Sequence, residues 1–204
     1  MNSISKLLAI CCIAVLLAGC GVSELAYVPT EGEPATIAWK KGDEEAANSE
    51  WEAAIASYTE AIRLRTTSPQ AYLGRAKAYG FVGEMKSTDP AAIRIISRLR
   101  ERLRSDTKRT GHLLYEAIIS DLSEAIRLNP DLGEAYNLRA VRIIVSLSRG
   151  VSSPKREEYI ELAISDSTEL IRREPNAALF YRYRSRLYRQ KGEDRKADAD
   201  STKY

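Results

Sequence analysis

The stretch "DLSEAIRLNP" at 121–130 has three counterparts in the same chain: "SYTEAIRL" at 57–64, "DSTELIRREP" at 166–175 and "ADADSTKY" at 197–204. Aligned, they place Ala54, Ile118, Ala163 and Ala197 in one column and Ala61, Ala125, Leu170 and Tyr204 in another. In both columns successive members stand 64, 45 and 34 residues apart. With 34 residues as the unit, the excesses are 30, 11 and 0, so one repeated unit with two insertions accounts for every interval. Self-similarity at such a period is the mark of stacked supersecondary units that bury their apolar faces on one another.

Upstream of each phrase lies a second pattern. It reads Tyr72-x2-Arg75-Ala76-x2-Tyr79, then Tyr136-x2-Arg139-Ala140-x2-Ile143, then Tyr181-x2-Arg184-Ser185-x2-Tyr188. The phrases themselves supply Ile118-x3-Leu122 with Pro130, Ala163-x3-Ser167 with Pro175, and Ala197 after Gly192. Small residues at Ala76, Ala140 and Ser185 let two helices approach, the tyrosines fill the gaps, and proline closes a unit. The combination resembles the tetratricopeptide repeat, a 34-residue helix–turn–helix. The resemblance covers about residues 35–204. It implies an all-α fold: a TPR-like α-solenoid of about four helix–turn–helix units, with helical insertions in the second and third. Arg75, Arg139 and Arg184 replace the family's usual leucine, which predicts packed stems with the charged heads in water. In the first unit, around residues 38–48, only Gly42 matches, and the register there stays open.

The resemblance also implies a concave face built from the first helix of each unit. Its groove-facing candidates are Trp39 and Asp43, then Leu73, Lys77 and Phe81, then Asn137, Val141 and Ile144, then Arg182, Arg186 and Arg189. Such a groove is apolar in the middle and basic at its C-terminal end. Leu73 and Val141 occupy slots where the family's carboxylate-binding members carry polar groups, so that clamp is not carried over.

The first twenty residues read as an export signal. Residues 1–6 carry one positive charge, 7–17 are uninterruptedly apolar, and Leu17-Ala18-Gly19-Cys20 closes the run with small residues. An apolar run this short is a secretory signal rather than a membrane span. The ending resembles the lipobox of bacterial lipoproteins, which implies a signal peptide at 1–19, lipidation of Cys20 and a tether over 20–34. Cys11 and Cys12 fall in the removed segment, so the mature domain is expected to hold no thiol for a disulfide, metal or nucleophile. Gly21 after the cysteine, in place of aspartate, implies by analogy the outer membrane, facing the periplasm. No membrane-spanning segment is expected after the signal.

The 30-residue excess falls in the turn of the second unit, as an insertion over about 84–113, and contains "IRIISRLRERLR" at 93–104. Thr88-Asp89-Pro90 is a helix start, with a capping side chain and proline at the first helical position. Helical spacing puts Ala92, Ile95, Ile96, Leu99 and Leu103 on one stripe. That stripe is expected to dock on the third unit, whose own insertion lengthens both of its helices around the loop at 150–154. Arg94, Arg98 and Arg104 would then form a basic surface.

Catalytic signatures are lacking. His112 is the chain's one histidine, and no glycine-rich phosphate loop, Gly-x-Ser-x-Gly elbow or His-Glu-x-x-His occurs. No enzyme activity, metal or cofactor is expected. A net charge of +3 and an export signal argue against nucleic acid; the alternating "FYRYRSRLYR" at 180–189 follows from the repeat register. The expected function is a lipid-anchored adaptor of the bacterial envelope that holds a protein or peptide in its groove, as pilotin-like and envelope-assembly factors do. The alternative is an anionic-lipid or polyanion-binding surface protein using the basic helix 90–104. The chain ends within its last helix, whose apolar side is a candidate surface for a second copy or a partner.

Overall fold

The computed structural model describes residues 33–64, 67–85, 88–103, 110–150 and 155–203. The chain divides into Met1–Thr30 and Glu31–Tyr204, and every described residue belongs to the second unit. The signal segment, Cys20 and Arg104 lie outside the described residues.

All regular structure among the described residues is helical. The helices are α1 (Glu33–Ala47), α2 (Trp51–Arg63), α3 (Pro69–Val82), α4 (Pro90–Leu103), α5 (Thr110–Leu128), α6 (Gly133–Ser148), α7 (Arg156–Arg173), α8 (Ala178–Lys191) and α9 (Asp194–Ser201). Four hairpins, α1–α2, α3–α5, α6–α7 and α8–α9, stack so that α2 meets α3, α5 meets α6 and α7 meets α8. This is the all-α solenoid that the spacing predicts. The aligned columns are its seams: Ala54, Ala61, Ala125, Ala163 and Ala197 are all fully buried, because only a methyl group fits where helix axes come closest. α9 turns Arg195, Lys196 and Asp198 outward and buries Ala197 and Asp200. The apolar outer side expected there is therefore absent from its described residues, since its few inward positions are covered by α8.

Tyr58 settles the register of the first unit. Its ring lies flat against Gly42, where a Cβ would stand 2.7 Å from Cδ1 and Cε1, and against Gly74, where a Cβ would collide with Cζ. Gly42 stands 34 residues before Ala76 and shares its column. The Tyr58 hydroxyl donates to Asp43 Oδ1 at 2.6 Å, and burial together with that carboxylate raises the phenol's pKa.

Two of the three arginine heads, those of Arg75 and Arg139, do not reach water, and that of Arg184 is partly exposed. Arg75 is 6% exposed and donates Nε and Nη2 to Asp121 at 2.8 and 2.7 Å. Arg139, equally buried, does the same with Asp166 at 2.8 and 2.6 Å, and Arg184 with Asp200 at 2.8 and 2.7 Å. Each remaining Nη1 donates to a hydroxyl of the preceding unit: Thr59 at 3.1 Å, Ser123 at 2.8 Å and Thr168 at 3.1 Å. The expectation of solvated heads fails because a two-oxygen acceptor faces each guanidinium, and a fork-to-fork pair is stable out of water in a way a lone head is not. Burial works against the charge on Arg75, and its bonds to Asp121 outweigh it, leaving its pKa above the ordinary value. The arginine-to-aspartate separations are 46, 27 and 16 residues. Relative to the last, the first two carry the same extra 30 and 11 residues that the repeat columns show.

The second unit's insertion forms α4. Asp89 Oδ1 accepts the Ala91 and Ala92 amides at 2.8 and 3.3 Å, the cap that the Thr-Asp-Pro start predicts. Ala92, Ile95 and Leu99 are buried in a core shared with Ile55, Tyr79, Leu114 and Ile118. The stripe thus docks on α5 and α2, correcting the expected seat on the third hairpin. Exposed ion pairs accompany this seat: Glu52 on α2 accepts Arg94 Nε at 3.0 Å and Nη2 at 2.5 Å, and stands 3.2 Å from Arg98 Nη1. The third unit's insertion lengthens α6 and α7, where Ile143, Ile144, Tyr159 and Ile160 build a second core with Tyr115, Ile119 and Leu187.

Two measurements test this packing. Asp166→Ala strands a buried guanidinium and is expected to cost about 3–5 kcal/mol in urea unfolding, with part of that loss recovered on adding Arg139→Leu. A change within about 0.5 kcal/mol, as at an ordinary surface site, would contradict the clasp. The second concerns pH. Hydrogen bonding from Arg94 lowers the Glu52 pKa below its ordinary 4.5. A depressed carboxyl contributes stability above its unfolded value and loses it as pH falls through the folded one. The protection of α4 amides, measured against their intrinsic exchange rates, should therefore fall as acid protonates Glu52, and Glu52→Gln should lower it at neutral pH.

Candidate partner-binding face

The first helices α1, α3, α6 and α8 line one side of the stack, with α1 packed on α3 and α6 on α8. Between α3 and α6, Lys77 Nζ meets Glu134 at 2.6 Å, with both side chains about half exposed. Asn137 and Val141 follow on α6, half-buried. The Asn137 Oδ1 is buried without a hydrogen-bond partner among the described residues. On α8, Arg182, Arg186 and Arg189 are exposed. Arg186 Nη2 donates to Ser148 Oγ at 2.7 Å, and Arg189 Nη2 lies 3.3 Å from Ser201 Oγ and 3.5 Å from Asp198. Trp39 is half-buried on α1.

Three predicted groove residues stand elsewhere and a fourth, Asp43, is exposed but already engaged. Leu73 and Ile144 are 5% and 7% exposed and belong to the two cores; their helices rotate these positions toward the neighbouring unit. Asp43 is occupied by the Tyr58 hydroxyl. Phe81 is 45% exposed but stacks on Trp51 of α2, centroids 4.2 Å apart at 13°, which carries it to the edge where α2 begins. The middle of the face is therefore less apolar than expected. Its polar members, Lys77, Glu134 and Asn137, sit between Trp39 and the three arginines. Glu134 was missed because its role depends on the neighbouring unit's lysine.

The basic surface of the insertion is also altered. Arg94 and Arg98 stay more than half exposed, yet both are directed at Glu52. In "FYRYRSRLYR" the rings are engaged internally: Arg184 lies 5.9 and 6.0 Å from the centroids of Tyr181 and Tyr188. His112 Nδ1 is 3.7 Å from Glu116, one helical turn away. Among the described residues no group of three His, Cys, Asp or Glu side chains is placed to hold a metal. No helix among them is long and apolar enough to cross a membrane.

No curated protein matches the chain. Among solved structures it is similar to MamA, at 21% identity over 84% of this chain and 90% of that one, with a TM-score of 0.38. It is similar to MamA from Desulfovibrio magneticus RS-1 at 15% identity, over 85% and 94%, TM-score 0.38. YrrB, a TPR protein with an unusual peptide-binding site, is similar at 19% identity over 83% and 84%, TM-score 0.40. Residues 42–83, from the glycine under Tyr58 to the end of α3, match the family model of the TPR repeat.

Proposed function

We propose that the chain is a lipid-anchored scaffold that holds a partner protein or peptide on its first-helix face. One observation carries the reading: the face combines a buried acceptor without a partner, Asn137 Oδ1, with three exposed arginines on the adjoining helix. A buried polar atom left unpaired costs free energy that an incoming donor relieves. An extended segment laid across α6 and α8 fits, its backbone or amide donors meeting Asn137 and its acidic side chains meeting Arg182, Arg186 and Arg189. The reading is one of binding; no reaction is assigned to the chain.

The anchor rests on Leu17-Ala18-Gly19-Cys20. Lipidated at Cys20, the domain would stand within roughly 20 Å of the bilayer if residues 21–32, which precede α1, scale as a random coil. Gly21 supports the outer membrane's periplasmic face, in a role such as pilotin or envelope-assembly adaptor. The anionic-lipid alternative is weakened by Glu52, which engages two of the arginines it needs.

Two experiments test the proposal. A photoreactive residue at Asn137 is expected to crosslink in cells to a partner that the same residue at Arg127, on the outer helix α5, does not capture. Charge reversal of the three α8 arginines should weaken that partner roughly tenfold or more, since a charged hydrogen bond is worth about 1.5–3 kcal/mol; an unchanged crosslink would overturn the groove. Cys20→Ser should abolish palmitate labelling and release the protein from the membrane fraction, and retention there would refute the anchor.

A further inference from the structure

The seat of α4 leaves an opening beside it. Between α4 and the lengthened α6 lies a cleft of about 260 Å³, walled by Val82, Met85, Ile96, Leu114, Ile118 and Val145. Its polar lining is unevenly satisfied. The Tyr115 hydroxyl, in a residue only 7% exposed, interacts with the Ser146 side chain but makes no well-aligned hydrogen bond among the described residues. The Ser146 hydroxyl beside it donates to the Ile143 carbonyl at 3.0 Å. The Arg142 Nε is likewise buried without a partner, while its Nη1 is 3.7 Å from Glu84. Its guanidinium lies against Gly80, where any Cβ would collide with Nη2. Arg149 stands exposed at the same rim. Glu84 is the one carboxylate among the lining residues, so the rim is net positive.

We propose that this cleft binds a single-chain carboxylate amphiphile, its alkyl chain between α4 and α6 and its head group at Tyr115, Arg142 and Arg149. Val82, Met85, Ile96, Leu114, Ile118 and Val145 supply apolar contact, which an alkyl chain matches. The donors at one end call for an acceptor, and a planar carboxylate fits the guanidinium fork. Size separates this occupant from a docked helix: a helix about 10–12 Å across overfills a cavity of this volume. The volume is just under the span of ordinary small-ligand pockets, about 300–1,000 Å³. The site shares no residue with the first-helix face and does not depend on the function proposed there.

The test is photolabelling of the full chain with a diazirine analogue of dodecanoate, followed by mapping of the labelled residues. Label is expected at Met85, Ile96 or Val145. It should fall about tenfold with Arg142→Gln and with Tyr115→Phe, and be lost with Ile96→Trp, which fills the cleft. Thermal melting checks that each variant folds. Should Arg142→Gln fail to fold, Arg149→Gln at the exposed rim is expected to reduce labelling several-fold. Label confined to residues outside the cleft overturns the proposal. So does equal labelling by an alkylammonium analogue of the same length, or equal competition by an apolar peptide with a capped C-terminus.

Discussion

A guanidinium cannot shed its proton at any pH a protein meets, so burying one obliges the fold to supply acceptors for it. Two such groups are buried here and a third, Arg184, partly so, and each is met by an aspartate of its own hairpin and a hydroxyl of the hairpin before it. A leucine at those positions would contribute burial from any of several rotations. The arginine fork tolerates one orientation, because two oxygens and a hydroxyl must be met together. Pairs of this kind add little net stability over an apolar replacement, and their effect is largely on which arrangement forms. In this chain they lock the rotation of each first helix against both its own second helix and the previous unit. The small-residue seams, the half-buried tyrosines and the outward face of α8 all follow from that rotation.

Much of this was legible in the sequence. Repeat columns, helix order and insertion sites were readable because each depends on spacing, and spacing survives the loss of any single motif residue. The clasps were also written there, since Asp121, Asp166 and Asp200 recur at the same intervals as their columns. Read one helix at a time, however, Arg75, Arg139 and Arg184 look like long amphipathic side chains. The aspartates lie on another helix, up to 46 residues away, and only the assumption that insertions leave the hairpin intact brings the two columns together. Leu73 and Ile144 were misplaced for a related reason: a helical register fixes a position to within about 100°, and the clasp decides which way it turns.

The seat of α4 illustrates the limit of periodicity. Its apolar stripe was evident from the spacing of Ile95, Ile96 and Leu99, but a stripe carries no address. Burial is non-directional and discriminates weakly between apolar seats. Glu52, in the first turn of α2, adds ion pairs to Arg94 and Arg98 beside the buried stripe. Residues of α4 and of the lengthened α6 line the two sides of one cleft.

The clasps also give the array a mechanical polarity. Where the other hairpins carry an arginine–aspartate pair, the first has Lys41 and Ser57, whose side chains both turn to Glu45. It contributes only Thr59 to its neighbour's clasp. A load applied from the N-terminal side therefore reaches first a hairpin whose two helices are joined, among the described residues, by hydroxyl-to-carboxylate bonds, Ser57 to Glu45 and Tyr58 to Asp43, in place of an arginine–aspartate pair. That hairpin can yield like a fuse, while the three behind it, each bolted to the one before, hold their shape.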